Sequence, residues 1–114
     1  MSFPRRGEIY WVALDPTVST EIAKTRPALV ISNDSGNQHA DRVIIAPITT
    51  QRQPRLYRFE VSLSVGEGGV TVPSKILLDQ MRTVDKSRLG RFVGRLAAQR
   101  MLDVDQAIRV SLAV

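Results

Sequence analysis

Apolar residues in this chain fall in short runs, separated by clusters of glycine, proline, asparagine, aspartate and serine. Gly7 to Leu14 reads GEIYWVAL, and its Ile9-Tyr10-Trp11-Val12 core is made of strong strand formers, which predicts a first strand. DPTVST follows as a turn enforced by Pro16, and the loop runs to Thr25. Pro27 biases Arg26 toward extended backbone, so PALVIS reads as a second strand. NDSGNQHAD reads as a polar loop with turn chemistry at Asp34-Ser35-Gly36-Asn37. Val43 to Ile48 is a third strand, whose late Pro47 points to an edge or a bulge. QRQPRL is basic and exposed. In YRFEVSL, Tyr57, Phe59, Val61 and Leu63 alternate with Arg58, Glu60 and Ser62, the pattern of a half-buried antiparallel strand. GEGG turns the chain, and VTVPSKILLDQMRTV supplies two or three short strands. DKSRL is a short turn with helical character. From Ala97, apolar residues at Ala97, Met101, Val104, Ile108 and Leu112 make one helical stripe. Many short strands closed by one helix predict a mainly β fold, a small, strongly bent antiparallel sheet or barrel.

Length and composition narrow the class. A chain of 114 residues, 43% of them hydrophobic, is expected to form one domain, residues 1–114, with a real but small core. No apolar run approaches a transmembrane length, and MSFPRRGEIYW lacks the apolar stretch of a signal peptide, so a cytoplasmic protein without membrane attachment is expected. There is no cysteine, which removes disulfides and thiolate metal sites. Sixteen basic residues against eleven acidic ones give a formal charge of +5. That balance favours polyanionic or acidic partners without choosing among them.

The stretch TEIAKTRPALVIS concentrates the chemistry. Glu21, Lys24 and Arg26 stand at the mouth of a core strand whose entry is fixed by proline. Read from the residues alone, Arg26 and Glu21 make either a surface ion pair or part of a site. Thr49 and Thr50 are equally ordinary strand residues, and Asp79-Gln80 equally a turn. Lys24, Arg52, Arg55 and Arg58 form either a solvated face or a track for a phosphate backbone. Tyr10 and Trp11 read as core or dimer contacts more than as base-stacking platforms, and Met101 with its stripe reads as core. His39 is the one histidine; it lies in the polar loop and reads as a surface residue. A histidine-pair mechanism is therefore not available within one chain. No His/Asp/Glu group has metal-ligand spacing, so no metal or other cofactor is expected.

Four stretches carry more than this. RGEIYWVALDP at 6–16, KTRPALVISND at 24–34, PITTQ at 47–51 and ILLDQMRTVDKSRL at 76–89 together resemble the MazF/PemK family of toxin endoribonucleases, in that family's order and spacing over nearly the whole chain. The resemblance implies an SH3-like barrel with a C-terminal α-helix, a homodimer, metal-free cleavage of single-stranded RNA at short preferred sequences, and a cognate antitoxin protein that blocks the site. It implies catalytic roles for Arg26 and Thr49, and substrate contacts for Glu21, Lys24, Thr50, Gln51, Arg55, Asp79, Gln80 and Arg82. Glu21 and Asp79 are the candidates for a general base, because an arginine guanidinium keeps its proton in a protein and cannot accept another. Two departures stand out. Where the family usually has Gly-Ser-Glu-Gln, this chain has Ser19-Thr20-Glu21-Ile22, which bears on sequence preference. Where one plasmid-borne branch has an arginine two residues before the aspartate matching Asp79, this chain has Leu77. A protein-binding toxin that poisons DNA gyrase on the same fold, and an inactive nucleic-acid-binding module, are the competing readings.

Overall fold

The computed structural model describes residues 2–14 and 24–114. The turn and loop expected at 15–23, with Glu21 and the Ser19-Thr20-Glu21-Ile22 departure, lie outside them. Among the described residues the strands are β1 (Glu8–Ala13), β2 (Thr25–Val30), β3 (Arg42–Thr50), β4 (Glu60–Leu63), β5 (Ser74–Leu77), β6 (Arg82–Asp85) and β7 (Leu89–Arg95); the α-helices are α1 (Asp34–His39) and α2 (Ala98–Leu112), with short 3-10 turns at Glu67–Gly69 and, as expected in DKSRL, at Lys86–Arg88. All strand pairs are antiparallel, in the order β4-β5-β3-β2-β1-β7, with β6 also paired to β3. The result is the expected mainly β, SH3-like barrel with a C-terminal helix.

Both faces of the central strands are buried, which is why they read as near-continuous apolar runs. Ile9, Leu29, Ala46, Ile48 and Ile76 join Val104 and Ala107 of α2 in one core, while Val12, Ala28, Val30, Val43, Ile45 and Val84 form a second. Successive residues of one strand thus feed opposite cores, as the two-residue strand period requires.

Pro47 is not at an edge. It pairs with Ala28 of β2 on one side. On its other side β3 changes partner, from β6 up to Ile45 to β5 from Ile48. The missing N–H falls in the interval where no ladder bond to that side is formed.

Three expectations are corrected, and one strand is new. The polar loop at 33–41 contains α1: Asn33 caps it by accepting from Gly36 N at 2.7 Å. Buried Asn37 anchors it, donating to the Ser32 carbonyl at 2.9 Å and accepting from the Ser32 hydroxyl. Turn residues and helix caps share the same side-chain chemistry, so the pattern was ambiguous. The strand predicted from Tyr57 starts at Glu60, and Tyr57 is 51% exposed. The strand β7 had no recognisable signal, because Gly90 and Gly94 interrupt it and its register to β1 shifts twice. The helical stripe is Met101, Val104, Ala107 and Ile108. Ala97 is the extended N-cap, and Leu112, 57% exposed, runs past the core.

Glu8, nearly buried, ties β1 to β7. Its carboxylate accepts from Arg5 N at 2.6 Å, the Tyr10 hydroxyl at 2.9 Å and Arg95 Nη2 at 2.8 Å. Burial pushes this carboxyl up, but those donors outweigh it and hold it below its ordinary value. Burial and the neighbouring Glu8 charge push the Tyr10 phenol up to about 12.

Candidate active site

The site follows from strand register. Ala28 of β2 pairs with Pro47 of β3. Continuing two residues along both strands brings Arg26 opposite Thr49 on the same face of the sheet. Arg26 Nη1 lies 3.5 Å from Thr49 Oγ1 and donates to it. That is a long hydrogen bond: the two groups converge on a common point more than they hold each other. Both sit at strand ends, so sheet backbone fixes them and leaves their polar tips half exposed.

They border a cavity of about 280 Å³, walled by Trp11 of β1, Pro27 of β2, the segment Gly69 to Val72, and Arg91 and Val93 of β7. Thr50 also lines it. A second hollow of about 370 Å³ shares Thr49 and Thr50 and is bounded by Arg52, Arg55, Tyr57 and Lys75. Among the described residues, the side chains lining both hollows are cationic, hydroxyl-bearing, amide or apolar, and no carboxylate appears in them. Such a surface attracts an anion whose oxygens need charged and neutral donors.

The other expected contact residues divide. Thr50 and Arg55 lie in the hollows. Gln51 supports them from below: its amide donates to Gln53 O at 3.0 Å and accepts from the Ser62 hydroxyl at 2.9 Å. Lys24 stands exposed at the foot of β2 in a left-handed conformation (φ 69°), and its carbonyl accepts from Leu14 N at 3.0 Å. Asp79 and Gln80 occupy the turn between β5 and β6 and line neither hollow. Arg82 also lies outside both, its Nη1 donating to the Leu14 carbonyl at 2.9 Å, which ties β6 to the end of β1.

Sequence reasoning missed three wall residues. Trp11, a core or dimer-contact residue by its sequence, lines the first cavity beside Arg26. Arg91 was hidden in the unread strand β7. Lys75 pairs directly with Thr49 across β3 and β5, a position that only the register reveals. Its ammonium is held 3.2 Å from Glu60 Oε2.

Comparison with known proteins bears on this arrangement. The family model for the PemK-like, MazF-like toxin of type II toxin–antitoxin systems matches residues 5–112. The chain belongs to this toxin family. Endoribonuclease EndoA of Bacillus subtilis is 39% identical over 110 residues, covering 96% of this chain and 95% of the relative. Among solved structures, MazF from Deinococcus radiodurans superposes with a TM-score of 0.83 at 26% identity, covering all of both chains. A MazE–MazF structure from the same organism gives 0.75 at 25% identity, covering 100% of this chain and 99% of that one. The PemK/MazF toxin thus places Arg26 and Thr49 of its RPALVIS and TTQ segments together at the mouth of one cationic cavity. No helix among the described residues is long and apolar enough to cross a membrane.

Proposed function

We propose that this PemK/MazF toxin is a metal-independent endoribonuclease that cuts single-stranded RNA, with Arg26 and Thr49 as its catalytic residues. The convergence of a guanidinium and a hydroxyl on one face, at the mouth of a cavity free of carboxylates among the described residues, carries the reading. The attacking group is the RNA's own 2′-hydroxyl. It gives its proton to solvent and bonds to the adjacent phosphorus. The bond from phosphorus to the 5′-oxygen breaks, and that oxygen takes a proton back from solvent. The products are a 2′,3′-cyclic phosphate and a 5′-hydroxyl end.

Negative charge builds on the phosphate oxygens as the new bond forms. The Arg26 guanidinium offers planar, paired donors for those oxygens, and Thr49 Oγ1 adds a neutral one. Placed on a sheet, these donors reorganise little during the reaction, which is where electrostatic catalysis gains most. Arg26 stabilises charge and is no base. Among the described residues, no group of His, Cys, Asp or Glu is placed to hold a metal ion.

Lys24, Thr50, Gln51 and Arg55 form or support the surrounding substrate surface. The active form is a homodimer acting in the cytoplasm as a single 114-residue domain per chain. Its partner is a cognate antitoxin whose acidic segment covers the cationic face. The net charge of +5 and the MazE–MazF relative support that pairing.

The test is single-turnover cleavage beside equilibrium RNA binding. Arg26→Ala should cut at least about a hundredfold more slowly while binding changes little. Arg26→Lys, which keeps charge and loses the planar fork, should recover part of the loss. A folded Arg26→Ala that cuts near the parental rate would remove Arg26 from catalysis.

A further inference from the structure

The second hollow carries a feature that strand formation does not explain. Tyr57 lies just before β4 and is half exposed. Its ring is parallel to that of Phe59, with centroids 5.1 Å apart and planes 5° from parallel. The Arg55 guanidinium sits over the Tyr57 ring at 5.2 Å. The Tyr57 backbone is pinned as well: its N–H donates to Glu60 Oε1 at 3.0 Å, and its carbonyl accepts from Glu60 N at 2.9 Å. Glu60 in turn holds Lys75, the residue opposite Thr49. A rigid aromatic face is thus wired to the strand pair that carries the catalytic threonine.

From this we infer that the second hollow is a nucleotide subsite, in which Tyr57 stacks against one RNA base and Arg55, Arg52 and Lys75 surround the adjoining phosphate. The inference rests on the endoribonuclease reading. Three observations carry it. A ring stacked on Phe59, on a backbone held by Glu60, loses little freedom when a base lands on it, so the stacking gain is not spent on ordering. The guanidinium already resting on that ring shows that a planar group fits there. A base can take its place and release Arg55 toward phosphate. The volume of about 370 Å³ lies at the low end of the range of roughly 300–1,000 Å³ for small-ligand sites, room for one nucleotide. Because Thr49 and Thr50 line both hollows, the stacked nucleotide is a near neighbour of the cut phosphate. Tyr57 therefore contributes to sequence preference at that position, and purines, with the larger π-face, stack best.

The experiment uses a set of single-stranded RNAs, each with one abasic nucleotide at a different position around the cut, bound by the parent protein and by Tyr57→Ala, Tyr57→Leu and Tyr57→Phe. For the parent, one abasic position should weaken binding by about fivefold or more. Tyr57→Ala and Tyr57→Leu should show that loss on intact RNA and no further loss at that position. Tyr57→Phe should behave like the parent. Identical abasic profiles in the parent and Tyr57→Ala, or full binding by Tyr57→Leu, would overturn the subsite. A parent protein that cuts RNA while Tyr57 variants bind normally sinks the subsite alone. A parent that neither binds nor cuts any of the RNAs sinks the endoribonuclease reading with it.

Discussion

Gly94→Ala pits two effects of known size against each other. Gly94 is an interior residue of β7, and its φ is not positive. By conformational entropy alone, alanine should stabilise such a position by about 0.4–1 kcal/mol, because it restricts the unfolded chain. The packing argues the other way. A Cβ at Gly94 would lie 2.4 Å from the Gly68 carbonyl oxygen and 3.1 Å from Gly69 N. Carbon and oxygen approach no closer than about 3.3 Å without strain, so the two backbones would have to part by roughly 0.9 Å. Neither side can rotate away, as both are main chain. Overpacking of this kind costs about 1–3 kcal/mol, and the upper half applies here. The net expectation is a loss of about 1–2 kcal/mol, a fall in melting temperature of roughly 4–10 °C. Gly90→Ala is the control. Its nearest obstacle, the Trp11 carbonyl oxygen, is 3.3 Å away, so stability should change by less than about 1 kcal/mol. The turn pressed against Gly94 also carries Gly69 to Val72, one wall of the first cavity. RNA cleavage by folded Gly94→Ala should therefore fall as well. Thermal and urea unfolding read the stability. A Gly94→Ala protein as stable as the parent, or less affected than Gly90→Ala, would refute the reasoning.

Other outcomes follow from single contacts. Thr49→Val should slow single-turnover cleavage less than Arg26→Ala, since a neutral donor is weaker than a charged one. Its melting free energy should stay within about 1 kcal/mol, because a 3.5 Å contact stabilises little. Arg82→Met should cost about 1 kcal/mol of stability through loss of the Leu14 bond while leaving the salt dependence of RNA binding unchanged; a flattened slope, as expected for Arg55→Ala, would return Arg82 to the RNA surface. The folded Glu8 carboxyl is held below the ordinary 4.5, so its contribution is full above that value and is lost as pH falls through the folded one. The stability gap between the parent and Glu8→Gln should accordingly shrink on acidification in melts from neutral pH downward. A gap independent of pH would show that the charge is not what those donors stabilise.

The sequence made the β architecture legible where burial was two-sided or strictly alternating: β1, β2 and β3 stand close to where their apolar runs lie. It misread segments in which one residue type serves two purposes. Asn33 and Asn37 signal a turn and a helix cap alike. Tyr57 continues an apolar alternation but lies ahead of the strand, its ring stacked instead of buried. The glycines of β7 read as interruptions, whereas at Gly94 the missing side chain is what lets the neighbouring turn approach. For the site, the motifs pointed to Arg26 and Thr49, and the strand register brings them together. Lys75 and Arg91 were invisible because their places depend on which strands lie beside one another, a property of the fold and not of local pattern. Arg82, a basic residue in a recognisable motif, also has a structural contact that no local pattern shows: its Nη1 donates to the Leu14 carbonyl.

The most direct measurement compares two versions of one RNA, incubated with the pure protein in excess EDTA. One is all-ribose, and the other carries a single 2′-deoxy nucleotide on the 5′ side of the cut. The account predicts that the all-ribose RNA is cut, leaving a 2′,3′-cyclic phosphate and a 5′-hydroxyl. The deoxy version should bind with similar affinity and remain whole at that position. Cleavage of the deoxy RNA at the same bond, or cutting that stops when EDTA is present, would contradict a reaction driven by the RNA's own hydroxyl with Arg26 and Thr49 as the catalytic groups.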